Sequence, residues 1–320
     1  MKIKMSNVPQ TPYSYKKALI AGTLTAYLPV LLMVVGLVKR GTFGSALFIL
    51  LPLFTGFAVA IVLSPWSYGL AVGLTVVILV APTVVLLALF SLLILHIEGL
   101  ICVVMAVALM VPWVLLGALI GVFIGRVMRQ RFQSPVNKVM CVGVLVFLVL
   151  LSDHVEHRDG YIRMNSVSNS QWLPAPPQDV WQRVKAYRDF SVTKPFLLKL
   201  GLPIPLRCEL TPDNERIGGR RTCYFREGYV EQRITRWEPP YHMELEVTNN
   251  RMPGRHWARL VDAEFELRPE GAGTRIIRTT RFISTLRPAW YWSLVERLGM
   301  EAEHRYILNQ LEANLRMQQR

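Results

Sequence analysis

Charge is what the first half of this chain lacks. No Asp, Glu, Lys or Arg lies between Arg40 and Glu98, and none between Glu98 and Arg126, whereas from Asp153 onward charges recur every few residues. Runs of that length without charge belong in a bilayer, so the chain is read as dividing near residue 153. The same absence counts against an ion-coupled pump or carrier, which places ionisable groups inside its spans. A basic run interleaved with aromatics is also missing, which argues against nucleic acid as a partner. The first apolar stretch begins only at Ala18 and lacks a small-residue cleavage pattern, so it is expected to stay in the protein. No nucleophile beside a base, no carboxylate pair and no complete metal-ligand spacing stands out, so no catalytic residue, metal or cofactor is assigned.

Positive charge, by contrast, is abundant. The net charge is +14, with ten Lys or Arg against one acid before residue 153 and 26 against 21 after it. In the first half the basic residues flank apolar segments, as membrane orientation requires. A helix needs roughly 20 apolar residues to cross the hydrocarbon, and 18–38, 43–63, 69–95 and 99–125 each supply them. A fifth span is expected over 135–152. Only fourteen uncharged residues separate Lys138 from Asp153, so Lys138 must snorkel. The expected anchor is therefore 1–152, with five spans.

Orientation then follows. Lys2, Lys4, Lys16 and Lys17 precede the first span, and Arg126, Arg129, Arg131 and Lys138 lie between the fourth and fifth. With five spans both groups share one face, the cytoplasmic one, and the domain after residue 153 lies outside the cytoplasm; the architecture fits a bacterial inner membrane. If 139–151 does not cross, the same rule puts that domain inside. Pro29, Pro52, Pro82 and Pro112 stand near the middles of the four long spans. They mark either broken helices around a substrate path or prolines that membrane helices tolerate. Cys102 and Cys141 lie within spans and read as inert thiols.

A linker, 153–165, begins with "DHVEHRDG". His154 and His157 at i, i+3, with Asp153, Glu156 and Asp159, could hold a metal, or could simply form a solvated exit from the membrane. No further Cys or His cluster completes a coordination shell.

From residue 160 the period becomes that of strands. The pattern predicts a strand over 162–173, helices over 177–187 and 195–201, strands over 204–211, 219–227, 229–237, 241–249, 256–268 and 274–284, and a closing helix over 288–317. "PDNERIGG", "EPP", "NNRMPG" and "PEGAG" supply the turns. Gly271–Arg275, "GAGTR", is a hairpin turn and not a phosphate cradle, because it joins two strands. The order gives an α+β domain, a curved antiparallel sheet around a long C-terminal helix.

The wording "PAPPQDVWQRV", "GGRRTCYFREGYVEQRITRWEPPYHMELEV", "AEFELRPEGAGTRIIRTTRF" and "AWYWSLVERLGMEAEHRYILNQL" resembles the START-related helix-grip superfamily (SRPBCC), in its polyketide cyclase/dehydrase-like branch. The likeness covers about 166–316. It implies a deep, largely apolar cavity between sheet and last helix, used by different members for lipids, hormones or polyketides and by a few for catalysis.

Alternation indicates which side chains would face such a cavity. On 256–268, Trp257, Val261, Ala263, Phe265 and Leu267 share a face with Arg259. On 274–284, Ile276, Thr280 and Phe282 share one with Arg278. Either arginine could clamp an anionic ligand group or pair with an acidic neighbour. The last helix carries Leu294, Leu298, His304, Ile307, Leu308, Leu311 and Leu315 in one stripe. His304 therefore faces the sheet, to meet a ligand or to fill the core. Trp290, Tyr291 and Trp292 read as a gate, a membrane-interface belt or core packing. Cys208 and Cys223 flank a turn centred near Glu215 and Arg216. A symmetric hairpin would bring them to disulfide distance, the alternative being two buried thiols.

The expected function is a membrane-anchored module that binds an apolar or amphiphilic, lipid-like molecule at the bilayer surface. The alternative is a cyclase- or dehydratase-type enzyme acting on a hydrophobic carbonyl substrate, with His304 and Arg259 or Arg278 polarising it. A ligand-free assembly partner would instead have a collapsed cavity.

Overall fold

In the computed structural model, residues 12–63, 70–187, 192–226, 228–252 and 258–318 are described. The chain forms two compact units that divide between Asp159 and Gly160, the second also taking in Glu98–Met105.

The first unit is helical: α1 (Pro12–Lys39), α2 (Leu51–Leu63), α3 (Leu70–Ile94), α4 (Leu100–Val127) and α5 (Pro135–Arg158). Among the described residues, four helices are long and apolar enough to cross a membrane: Ala46–Leu63, Val77–Ile94, Leu100–Val127 and Pro135–Arg158. Five spans were expected. The difference lies in the first, where the apolar part of α1 among the described residues is the shorter Thr23–Lys39. The segment whose length was in question, 135–152, instead runs on to Arg158, since backbone hydrogen bonding carries a helix past its last apolar residue.

Pro29, Pro82 and Pro112 do lie inside helices, but Pro52 is the second residue of α2. A π-helical turn, Ala46–Leu50, precedes it. Proline has no N–H to continue the ladder, and the wider turn absorbs the break. Gly56 of α2 and Gly117 and Gly121 of α4 sit at a close crossing. A Cβ on Gly56 would overlap Val114 O, one on Gly117 would overlap Leu53 O, and one on Gly121 would meet Ala60 Cβ at 2.7 Å. Small residues spaced four apart let two helix backbones approach in this way.

One end of the helical unit is tied by charge. Asp153, 2% exposed, accepts from Arg40 Nη1 at 3.3 Å. Glu156 receives the backbone N–H groups of Ser45 and Ala46 at 3.0 and 3.3 Å, capping the π-helical turn that leads into α2. These contacts put the exit of α5 at the same end of the unit as the connection between α1 and α2. They also engage two of the carboxylates weighed as metal ligands, while His154 and His157 are exposed.

The second unit contains β1 (Arg163–Leu173), α6 (Pro177–Lys185), α7 (Phe196–Lys199), β2 (Arg207–Leu210), β3 (Arg220–Tyr224), β4 (Tyr229–Glu238), β5 (His242–Asn250), β6 (Ala258–Glu270), β7 (Gly273–Ser284) and α8 (Ala289–Gln318). Its strands make one antiparallel seven-stranded sheet in the order β1-β7-β6-β5-β4-β3-β2. The long C-terminal helix α8 packs Tyr306, Ile307, Leu308, Leu311 and Leu315 against Phe265, Leu267 and Ile276 of the inner sheet face. Trp181 of α6 meets Trp237 of β4 edge-on at 4.9 Å in the same core. The outer face is tied by ion pairs between strands, as where Arg281 donates to Asp262 at 2.7 Å and Glu244 at 2.8 Å.

Two features of the expected helical stripe differ. Leu294 and Leu298 are exposed, so the apolar contact of α8 with the sheet is carried by its later turns. Trp290 is exposed while Trp292 is buried.

Candidate functional site

Strand alternation delivers an unusual set of side chains to the interior of the second unit. On β7 the inward residues are Ile276, Arg278, Thr280 and Phe282, all buried. On β6, Ala263, Phe265 and Leu267 are inward. Arg259 is not. A bulge between Leu260 and Asp262 adds one residue to β6, so Leu260 pairs with Phe282 but Asp262 with Arg281. That slip of one residue moves Arg259, opposite Ile283, to the other face, where it is exposed. Simple alternation across 256–268 ignored the bulge and placed Arg259 wrongly. Trp257 lies outside the described residues.

Three polar groups meet above β7. His304 of α8 is 0% exposed, with Nε2 at 2.8 Å from Thr280 Oγ1 and Nδ1 at 2.9 Å from Asn169 Oδ1. An amide oxygen only accepts, so Nδ1 carries the proton and donates, while Nε2 accepts the threonine hydroxyl. Burial, aided by the nearby Arg278 cation, pushes the imidazole down to about 2. A base that weak has little capacity to take a proton at neutral pH. Of the two arginines expected to act with His304 on a carbonyl, Arg259 lies on the opposite face and does not meet it, whereas Arg278 lies near it in the interior.

This burial predicts a pH dependence. The unfolded chain protonates this histidine near pH 6.5 and the folded chain does not, so the stability it contributes is complete above that pH and is lost progressively as pH falls toward 2. Between pH 7 and pH 5 the loss from this group is expected to be about 2 kcal/mol. Thermal unfolding of the full-length chain in detergent should show that increment in the native protein and not in His304→Gln; equal slopes would refute it.

Arg278 turns toward α8. Its Nη2 donates to Glu303 Oε1 at 3.0 Å, and Nη1 lies 2.9 Å from Glu303 Oε2 as an ion-pair contact without hydrogen-bond alignment. Its Nε is buried and, among the described residues, has no acceptor. The guanidinium carbon lies 5.6 Å from the ring centroid of Phe265.

A second arginine flanks that ring. Arg221 of β3, 1% exposed, has its guanidinium carbon 5.8 Å from the Phe265 centroid and 5.0 Å from that of Tyr187. It donates to Lys185 O at 3.0 Å, Val184 O at 3.1 Å and Gln232 Oε1 at 2.9 Å. Two of these acceptors are carbonyls at the C-terminal end of α6, where a cation complements the helix dipole. Sequence reasoning passed over Arg221, Glu303 and Asn169. Arg221 stands two residues before Cys223, so period-two alternation puts the two on one face of the strand, the signal by which it could have been found. Glu303 adjoins His304, and only the packing of α8 shows that both turn inward.

Toward the α8 N-terminus, Glu296, with its side chain 5% exposed, accepts from Arg163 Nη2 at 2.6 Å and Asn165 Nδ2 at 3.3 Å, with Ser284 Oγ as a further donor. Burial raises this carboxyl despite those donors. The cluster fixes α8 to the start of β1 and the end of β7. At the far edge of the sheet, β2 and β3 pair Cys208 directly with Cys223, and the two form a disulfide.

No protein-family model and no curated protein matches the chain. Among solved structures the chain is similar to protein MLL2253 from Mesorhizobium loti, at 17% identity over 48% of this chain and 98% of that one, with a TM-score of 0.33. It is similar to protein NE0264 from Nitrosomonas europaea at 19% identity, over 48% and 96%, with a TM-score of 0.33. The Aha1 dimer from Colwellia psychrerythraea is similar at 13% identity, over 46% and 96%, with a TM-score of 0.29. At these scores the likeness adds nothing to the fold read directly from the strands.

Proposed function

We propose that this chain is a membrane-anchored binding module whose second unit, a helix-grip domain of the START-related kind, holds an apolar or amphiphilic small molecule at the bilayer surface. The observation that carries this reading is the inner sheet face. There, Phe265 and Phe282 share the inner face with Arg278, Thr280 and His304, and among the described residues two buried donors, Arg278 Nε and Nη1, lack a hydrogen-bond acceptor. Buried donors without acceptors are rare in a core that serves packing alone. A small apolar molecule with one polar end answers both features.

In this reading α1 also crosses the membrane, giving five spans, and the binding domain lies outside the cytoplasm. The basic groups around residues 2–17 and 126–138 then share the cytoplasmic face. On the opposite face Arg40 is matched by Asp153, which supports that assignment. A disulfide between Cys208 and Cys223 suits such a compartment.

The test uses full-length protein in lipid nanodiscs with two photoreactive probes, a diazirine-bearing palmitic acid and the corresponding hexadecanol. Crosslinks from either probe to peptides carrying Phe265, Phe282 or His304 are expected. Crosslinks from both probes confined to α1–α5 would refute the binding role of the second unit.

A further inference from the structure

We propose that the molecule held in the second unit carries a single negative charge, a carboxylate on an aliphatic body, which the Arg221 and Arg278 pair selects. This rests on the binding role proposed above and names the ligand class of the same site.

Charge balance is the first ground. Arg221 and Arg278 are 1% and 7% exposed and both flank Phe265. Among the described residues, Glu303 is the one carboxylate in ion-pair contact with either of them. Arg221 donates to three neutral oxygens, Lys185 O, Val184 O and Gln232 Oε1. The C-terminal end of α6 offsets roughly half a charge. His304, neutral between Thr280 and Asn169, adds nothing. The interior therefore holds an excess of positive charge, which is costly to keep away from water unless an anion joins it.

Geometry is the second ground. Glu303 accepts a hydrogen bond from Arg278 Nη2 and touches Nη1 as an ion pair only, so among the described residues both Nη1 and Nε lack a hydrogen-bond acceptor, with the side chain only 9% exposed. Guanidinium donors left beside an apolar ring are matched better by a carboxylate than by a hydroxyl, which accepts more weakly and brings no charge. A hydrogen bond to a charged partner is worth more than one between neutral groups. The aliphatic body would lie along Phe265 and its apolar neighbours Leu267 and Ile276, which share that interior.

The probe pair described above separates this inference from the reading it rests on. In native full-length protein, crosslinking of the interior peptides by the photoreactive palmitic acid is expected to exceed that by the hexadecanol by about ten-fold at equal probe concentration. Arg278→Gln is expected to bring the two probes to within about two-fold of each other. Equal labelling of the interior by acid and alcohol in the native protein would overturn the charge selection while leaving the binding role intact. Absence of interior labelling by both would overturn the two together. The comparison in the native chain needs no variant to fold, so instability of Arg278→Gln would not obscure the result.

Discussion

Glu303→Gln is expected to lower the stability of the second unit by about 3–5 kcal/mol. The substitution keeps the shape of the side chain and removes its charge, so Arg278 stays buried at 7% exposure with no anion in contact. The cost is that of an uncompensated cation, not merely of one lost contact. For a unit of this size the fall in Tm should be roughly 10 °C, measured by near-UV circular dichroism on full-length protein in detergent, where the packed Trp181 and Trp237 contribute to the signal. The double variant Arg278→Met, Glu303→Leu provides the control. Removing both charges together should restore most of the loss, because a buried ion pair can be replaced by apolar groups at little net cost. If Glu303→Gln is as stable as the native chain, the pair is already satisfied by water and the interior is wet. If the double variant is worse than the single one, the pair fixes the position of α8 more than it balances charge.

Loss of the Cys208–Cys223 bridge is the second large effect. The cysteines are 15 residues apart, and closing a loop of that length stabilises the folded state by about 3 kcal/mol. Reduction, or Cys208→Ser with Cys223→Ser, should therefore lower stability by about that amount. The same pair reports the compartment. In a variant lacking Cys102 and Cys141, a membrane-impermeant maleimide should label intact cells only after reduction, as expected of a domain outside the cytoplasm. Labelling that needs permeabilisation and no reductant would place the domain inside and count against five spans.

The pattern of elements was legible because it rests on local periodicity. Strands expected at 162–173, 229–237 and 274–284 are found at Arg163–Leu173, Tyr229–Glu238 and Gly273–Ser284. The closing helix expected over 288–317 is found at Ala289–Gln318. Faces were legible wherever a strand is regular. Thr280, Phe282 and Arg278 are inward on β7 as alternation requires, whereas one bulge in β6 sent Arg259 outward. The close crossing of α2 and α4 was present in the sequence as Gly117 and Gly121, four residues apart. Its partner, Gly56, follows only from the packing.

By itself the sequence determined where the charge-poor, apolar half of the chain ends, near residue 153, and the succession of strands and helices that follows. Both depend on composition and on periods of two and 3.6, properties that neighbouring residues carry among themselves. Tertiary structure alone decided that Arg278 meets Glu303 across 25 positions, that Arg221 reaches the end of α6, and that Asn169 and Thr280 engage the two ring nitrogens of His304. Charge pairing in an interior depends on which element lies over which, and a chain that brings residues 169, 221 and 304 into one core leaves no trace of that in their spacing.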